Sequence, residues 1–181
     1  MIHETAQVSP DAKIGEGTSI WNWCQVRENS VIGKNCTLSK GVYVDFDVII
    51  GDNVKIQNNV SVYHGVVLEN GVFAGPHVCF TNDLLPRSIN PDGSLKSNDD
   101  WVLSKTLVKE GASIGANATI VAGTTIGRFA LIGSGSVVTK DVPDHGLAFG
   151  NPAKLRGYVC HCGQKLDSEN ECKKCNFKLE L

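Results

Sequence analysis

Three groups of side chains among the 181 residues have types and spacings suited to chemistry. His64 and Asn82 form the first: an imidazole that can take or place a proton, and a carboxamide that both donates and accepts hydrogen bonds. His77 is the second, a histidine whose corner carries nothing else chemically suggestive. The third is the run CHCGQKLDSENECKKC, which holds Cys160, Cys162, Cys172 and Cys175. Two close cysteine pairs can supply four thiolates in a tetrahedron, the arrangement of structural zinc, and a closed shell of four sulfurs leaves no position for a reacting ligand. His161 is a substitute ligand in the same run, and an unmetallated or oxidised tail is the competing reading.

Composition narrows what these groups serve. Net charge is −2, with both signs mixed along the chain, which gives no support to nucleic-acid or membrane-surface binding. The opening residues MIHETAQVSPDAKIG show no basic stretch followed by an apolar core, so no signal peptide is expected. No apolar run approaches the ~20 residues that cross a bilayer. Seven cysteines, an odd count with a paired tail spacing, favour reduced thiols and a cytoplasmic location over a disulfide framework.

The elements that position these groups are legible as a six-residue beat. From Val8 every sixth residue to Phe80 is apolar, passing through Ile20, Val44, Val62 and Ala74. At 41% hydrophobic composition, thirteen such positions in a row arise by chance roughly once in 10⁵ trials. Four residues after each apolar position comes a second, often small, inward candidate: Ala12, Thr18, Cys24, Ser30, Cys36, then a series of valines. Cys24 and Cys36 therefore read as core residues. The residue before that second position is mostly glycine, asparagine or aspartate, with Trp23 and His77 as departures, so a corner with positive φ is expected in every hexad. A conformational role suffices for His77. Short strand, corner, short strand describes a parallel β-helix, all-β, with three hexads to a coil. Each coil then takes eighteen residues and rises ~4.8 Å, which stacks Glu28, Phe46, His64 and Asn82 on one corner.

The beat stops after Asn82-Asp83 and resumes at Val108, with Ile114, Ile120, Ile126, Ile132 and Val138 following; Val102 and Thr106 extend it back by one hexad. Ala112, Ala118, Thr124, Ala130, Ser136 and Val142 are the small partners. Residues 84–101 form a long excursion, most often a functional device in a compact repeat, with Leu84, Leu85 and Trp101 as its expected anchors.

The hexads, the excursion and IGANATIVAGTTIGRFALIGSGSVVTKDVPDHGLAFGNPAKLRGY resemble the hexapeptide-repeat acyltransferases over residues 1–158, and FTND…PRSINPDGSLKSNDDW is most similar to the subgroup that N-acetylates nucleotide-linked amino sugars of surface polysaccharides. The resemblance implies a left-handed coil and a homotrimer with active sites shared between neighbours, and Trp21 and Trp23 beside a corner offer surface for such a partner. It implies acetyl-CoA as co-substrate, with Ala116, Ala122 and Ser134 allowing close approach and Lys140, Lys154 and Arg156 available to its phosphates. His64 and Asn82 become catalytic candidates, and Asn82, Asp83 and Arg87 candidates for the acceptor sugar nucleotide. Relatives that acetylate hydroxyls hold a histidine in another loop pattern, and CFTND occupies that place here. An amine needs less help from a base than a hydroxyl, so the departure fits N-acetylation.

Three other readings stand beside it: an O-acetyltransferase on a sugar hydroxyl, a non-catalytic scaffold, and a hexapeptide-fold metal hydratase. The last needs three converging histidines, and His64 and His77 fall on different corners. Residues 159–181 are expected as a separate cysteine knuckle closing the chain.

Overall fold

The computed structural model describes residues 1–180; Leu181, the end of the expected knuckle, lies outside them. Almost every strand is two or three residues long, as at Tyr43–Val44, Ile49–Ile50 and Lys55–Ile56, and each ends on a residue whose side chain points inward. The strands line up in three sheets of seven, six and eight strands, parallel except for the last strand of the third, which make the faces of a prism. Along the first face Gln7 pairs with Gln25, Gln25 with Tyr43, Tyr43 with Ser61 and Ser61 with Cys79. Each step is eighteen residues, the three-hexad coil expected from the sequence.

The corners have the backbone that the residue types demand. Trp23, Asn29, Asn35, Asp47, Asn53, Asn59 and His77 hold φ between 55° and 60°, and the glycines of the series are positive as well. Asp11, on the first coil, is the exception. His77 accordingly has a conformational role, and its backbone N–H donates to the Asn58 carbonyl at 2.9 Å. The interior is a single apolar column in which Ile20, Leu38, Ile56, Leu68 and Phe80 are fully buried. Val8 and Ile14, on the open first coil, are only partly covered. Cys24 and Cys36 belong to this core, and burial pushes their thiols up, away from nucleophilic chemistry.

The excursion is an insertion between intact coils. Val66 pairs with Thr106 and Cys79 with Thr119, both forty residues apart, so twenty-two residues are added to the usual eighteen. Thr106 takes its expected buried place. Val102 does not: it is 81% exposed, and Leu103 instead packs where the chain rejoins the coil. Gly65 permits that return. Its φ is +88°, and a side chain there would bring Cβ within 2.7 Å of Leu103 Cδ1. The excursion is ordered by local bonds, with Ser97 and Asp100 capping a short 3₁₀ turn reciprocally and Ile89 bridging Leu95. Leu84 and Leu85, expected as anchors, are 55% and 79% exposed, while Trp101 is half-buried.

The last coil is two residues short, since Leu131 pairs with Leu147 and Ile126 bridges Val142. Val142 thereby occupies the main apolar column instead of a small partner position. Strand Gly146–Gly150 then turns back antiparallel against Ala153–Tyr158. No helix among the described residues is long and apolar enough to cross a membrane.

Candidate active site on the excursion corner

Glu28, Phe46, His64 and Asn82 do stack on one corner. The Phe46 and His64 rings lie nearly parallel with centroids 4.2 Å apart, and the Arg27 guanidinium covers the Phe46 ring at 5.0 Å. His64 Nδ1 is 3.1 Å from the Phe46 carbonyl oxygen. A carbonyl only accepts, so Nδ1 carries the hydrogen and donates, and Nε2 is the nitrogen that holds the lone pair in the neutral ring. Asn82 Nδ2 donates to the His64 carbonyl at 3.2 Å, leaving its second N–H and its Oδ1 for a ligand. One coil rise therefore links an oriented imidazole to the residue where the excursion departs. The excursion also returns there, since the Ser104 N–H donates to the Asn82 carbonyl at 3.0 Å.

Beneath this pair lies a carboxylate that the sequence reading missed. Asp45 is buried and accepts from Arg27 Nη1 at 3.0 Å, the Tyr43 hydroxyl at 2.9 Å, and the Phe46 and His64 N–H groups at 2.9 and 3.2 Å. It fastens the backbone of both stacked residues. Arg27 and Asp45 are eighteen apart, so the step that joined His64 to Asn82 joins these two as well.

The excursion folds over the corner into a cavity of about 260 Å³ lined by Asn82, Asp83, Arg87, Lys96, Ser97, Asn98 and Trp101. Asn82, Asp83 and Arg87, the expected acceptor-binding residues, thus share one wall-to-wall space. Asp83 Oδ1 accepts from the Leu85 N–H at 2.8 Å and shapes the turn. The Arg87 guanidinium is exposed, and its Nη1 donates to the neighbouring Pro86 carbonyl at 2.9 Å. Lys96 adds a second cation, which no spacing rule in the excursion could have singled out. A more apolar hollow of about 290 Å³ shares Asp83, Lys96 and Trp101 and adds Leu84, Leu85 and Val102.

The residues expected at the coenzyme divide between places. Ala122 and Lys140 continue the His64–Asn82 corner on later coils, and the Ala122 N–H donates to Thr81 Oγ1 at 2.9 Å. Ala116 and Ser134 stack on another corner, the one between the third and first faces. Lys154 and Arg156 project from the antiparallel return strand, where the Arg156 guanidinium lies 5.7 Å from the Phe149 ring centre. Within one chain these six do not converge. Cys160, Cys162, Cys172 and Cys175 do: their sulfurs all lie within 4.8 Å of one another.

Comparison with known proteins fits this architecture. The bacterial transferase hexapeptide (six repeats) pattern matches residues 2–45 and 105–140, and the hexapeptide repeat of succinyl-transferase matches 28–64. The dTDP-3-amino-3,6-dideoxy-alpha-D-galactopyranose 3-N-acetyltransferase of Aneurinibacillus thermoaerophilus is 63% identical over 62 residues, 34% of this chain and 32% of that protein. The galactoside O-acetyltransferase of Lactococcus lactis is 32% identical over 128 residues, 68% of this chain and 53% of that one. Among solved structures, PerB from Caulobacter crescentus in complex with CoA and GDP-perosamine superposes with a TM-score of 0.53 at 27% identity, covering 86% of this chain and 56% of that one. This chain spans from a third to little more than half of the length of these relatives. It belongs to the hexapeptide-repeat acyltransferases.

Proposed function

We propose that the chain is an acetyl-CoA-dependent N-acetyltransferase acting on the amino group of a nucleotide-linked amino sugar. The observation that carries this reading is the cavity of Asn82, Asp83, Arg87 and Lys96, whose Asn82 hydrogen-bonds the backbone of His64 on the coil below. Two cations suit the anionic diphosphate of a nucleotide sugar, and Asn82 suits its hydroxyls. The amino-sugar acetyltransferase among the relatives, and PerB with its bound CoA and GDP-perosamine, support the same substrate class.

The reaction asks little of the protein. The amine nitrogen attacks the thioester carbonyl carbon, a tetrahedral oxyanion forms, and the C–S bond breaks to release the CoA thiolate. The nitrogen must lose a proton, and in this reading His64, one coil below Asn82, is the candidate base. Because the coenzyme candidates sit on separate corners of one chain, the reading includes a homotrimer in which two copies each contribute a corner. The exposed Leu84, Leu85 and Val102 offer surface for a neighbour to cover. Acetyl-CoA and free thiols suit the cytoplasm.

A second reading, O-acetylation of a sugar hydroxyl, draws on the galactoside O-acetyltransferase, which aligns over more of the chain than the N-acetyltransferase does. One screen separates the two: nucleotide-linked 3-amino sugars against the corresponding hydroxy sugars and free galactosides, with thiol release as readout. Turnover confined to amino sugars is the expected result. Turnover on hydroxy sugars alone would reassign the chain.

A further inference from the structure

The chain's second, smaller core is built from Cys160, Leu166 and Cys172, with Tyr158, Phe177 and Leu179 packed around it. Six side chains are far too few to order some twenty residues against conformational entropy. Something else must hold them. Val159 bridges Lys165, and Glu171 bridges Lys178, so each cysteine pair rides on its own short antiparallel turn. In the first turn the Gly163 N–H donates to the Cys160 carbonyl, with Gly163 at φ +84°. In the second the Asn176 N–H donates to the Cys172 carbonyl, with Asn176 at φ +56°. The turns face each other and bring four sulfurs together.

None of the four is bonded to another. Sulfur separations are 3.2 Å for Cys160–Cys175, 3.6 Å for Cys162–Cys172, 3.7 Å for Cys162–Cys175 and 3.4 Å for Cys172–Cys175. Four thiolates at ~2.3 Å from a tetrahedral zinc stand about 3.8 Å from one another, so a small inward or outward adjustment seats the ion. Backbone N–H groups turn toward the sulfurs, as where Cys162 N lies 3.5 Å from Cys160 Sγ, and such donors offset the charge of a tetrathiolate. His161 takes no part: its ring lies edge-on to Phe177 at 4.9 Å and near Phe129 at 6.2 Å.

From this geometry we infer that Cys160, Cys162, Cys172 and Cys175 bind one structural zinc ion, and that the zinc-held knuckle clamps the end of the coil. Binding converts four thiols to thiolates and releases their protons to solvent, with no change of oxidation state. The clamp is a line of stacked rings. Phe177 of the knuckle lies 5.1 Å from the ring of His145, which lies 5.4 Å from the ring of Phe129 on the coil below. The Val159 N–H donates to the His145 carbonyl at 2.7 Å, and His145 Nδ1 lies 2.9 Å from the Val159 carbonyl. A parallel coil ends in unpaired strand edges, and the return strand with its knuckle closes this one.

Metal analysis of the full chain after dialysis against metal-free buffer should return about one zinc per chain. Cobalt(II) replacing it should give the strong thiolate-to-cobalt absorption of a tetrahedral sulfur site. Cys172→Ser should lose the metal. Hydrogen exchange on chelated wild-type protein should then lose protection at Val159 and through the knuckle, while amides of the core coils stay protected. Four freely titrating tail thiols in metal-free protein, two tail disulfides, or iron in place of zinc would overturn the zinc assignment. Unchanged protection after chelation would overturn the clamp. None of these readouts involves acetyl transfer, so they stand apart from the proposed activity.

Discussion

Replacing His64 separates a chemical role from a structural one. Its Nδ1–H is held by the Phe46 carbonyl at 3.1 Å and one ring face rests on Phe46, so the ring is oriented before any ligand arrives. A positioned base contributes about 10²–10⁴ in rate, and the lower figure corresponds to about 2.7 kcal/mol of barrier. His64→Gln keeps a donor near the Phe46 carbonyl but removes the basic nitrogen; His64→Ala removes both. Each should lower kcat for the amino sugar by about 10²-fold with little change in KM for acetyl-CoA. Loss of the ring stack costs about 0.5–1.5 kcal/mol of stability, which a denaturant midpoint reads independently of rate. Steady-state thiol release across a pH series is the assay. If the imidazole accepts the proton, raising the pH leaves both variants well below wild type. If the amine arrives already deprotonated, the deficit is small and closes as pH rises. Wild-type kcat in both variants at every pH would refute a role for this side chain in the reaction.

Asn82→Ala should raise KM for the sugar nucleotide more than for acetyl-CoA, as measured by varying each substrate at saturation of the other. Asp45→Ala strips the acceptor from Arg27, Tyr43 and two backbone N–H groups at a buried site, and should cost about 2–4 kcal/mol by urea unfolding. Asp45→Asn, which keeps an acceptor, should cost less. Light scattering at micromolar concentration should give three times the mass of the chain; a monomer would remove the shared site along with the assembly.

The coil was legible because its constraint is periodic. An inward apolar residue every sixth position and a left-handed corner before each second inward residue leave so few alternatives that composition alone exposes them. The same step of eighteen placed Asn82 above His64. Legibility failed where the step is broken. Val102 looked like one more hexad because it stands six before Val108, yet the chain rejoins the coil through Leu103 over Gly65. Val142 fell in the wrong column because the last coil drops two residues. Lys96 entered the cavity by way of local turns at Asn90–Gly93 and Ser97–Asp100, whose outcome depends on bonds that no periodicity encodes.

A prism of two-residue strands has flat faces and tight corners, and neither can bury a substrate. Side chains on the faces point straight out, and corner residues such as Asn53 and Asn59 are committed to backbone geometry. A concave site must therefore come from an interruption of the coil or from a neighbouring prism. The excursion at Asn82 is the interruption, and it hollows out a space over Asn82 that the hexads could not make. The coenzyme candidates show the other half of the requirement, because Ala122 and Lys140 lie on one corner while Ala116 and Ser134 lie on another. In the homotrimer proposed above, a long ligand would meet one set on each of two neighbouring prisms. It follows that a substitution that only separates the copies should abolish acetyl transfer while leaving each excursion cavity intact, so that the isolated chain still binds the sugar nucleotide in calorimetry but releases no thiol. Full turnover by a proven monomer would show that one corner suffices and that the second set of small residues serves only the packing of the coil.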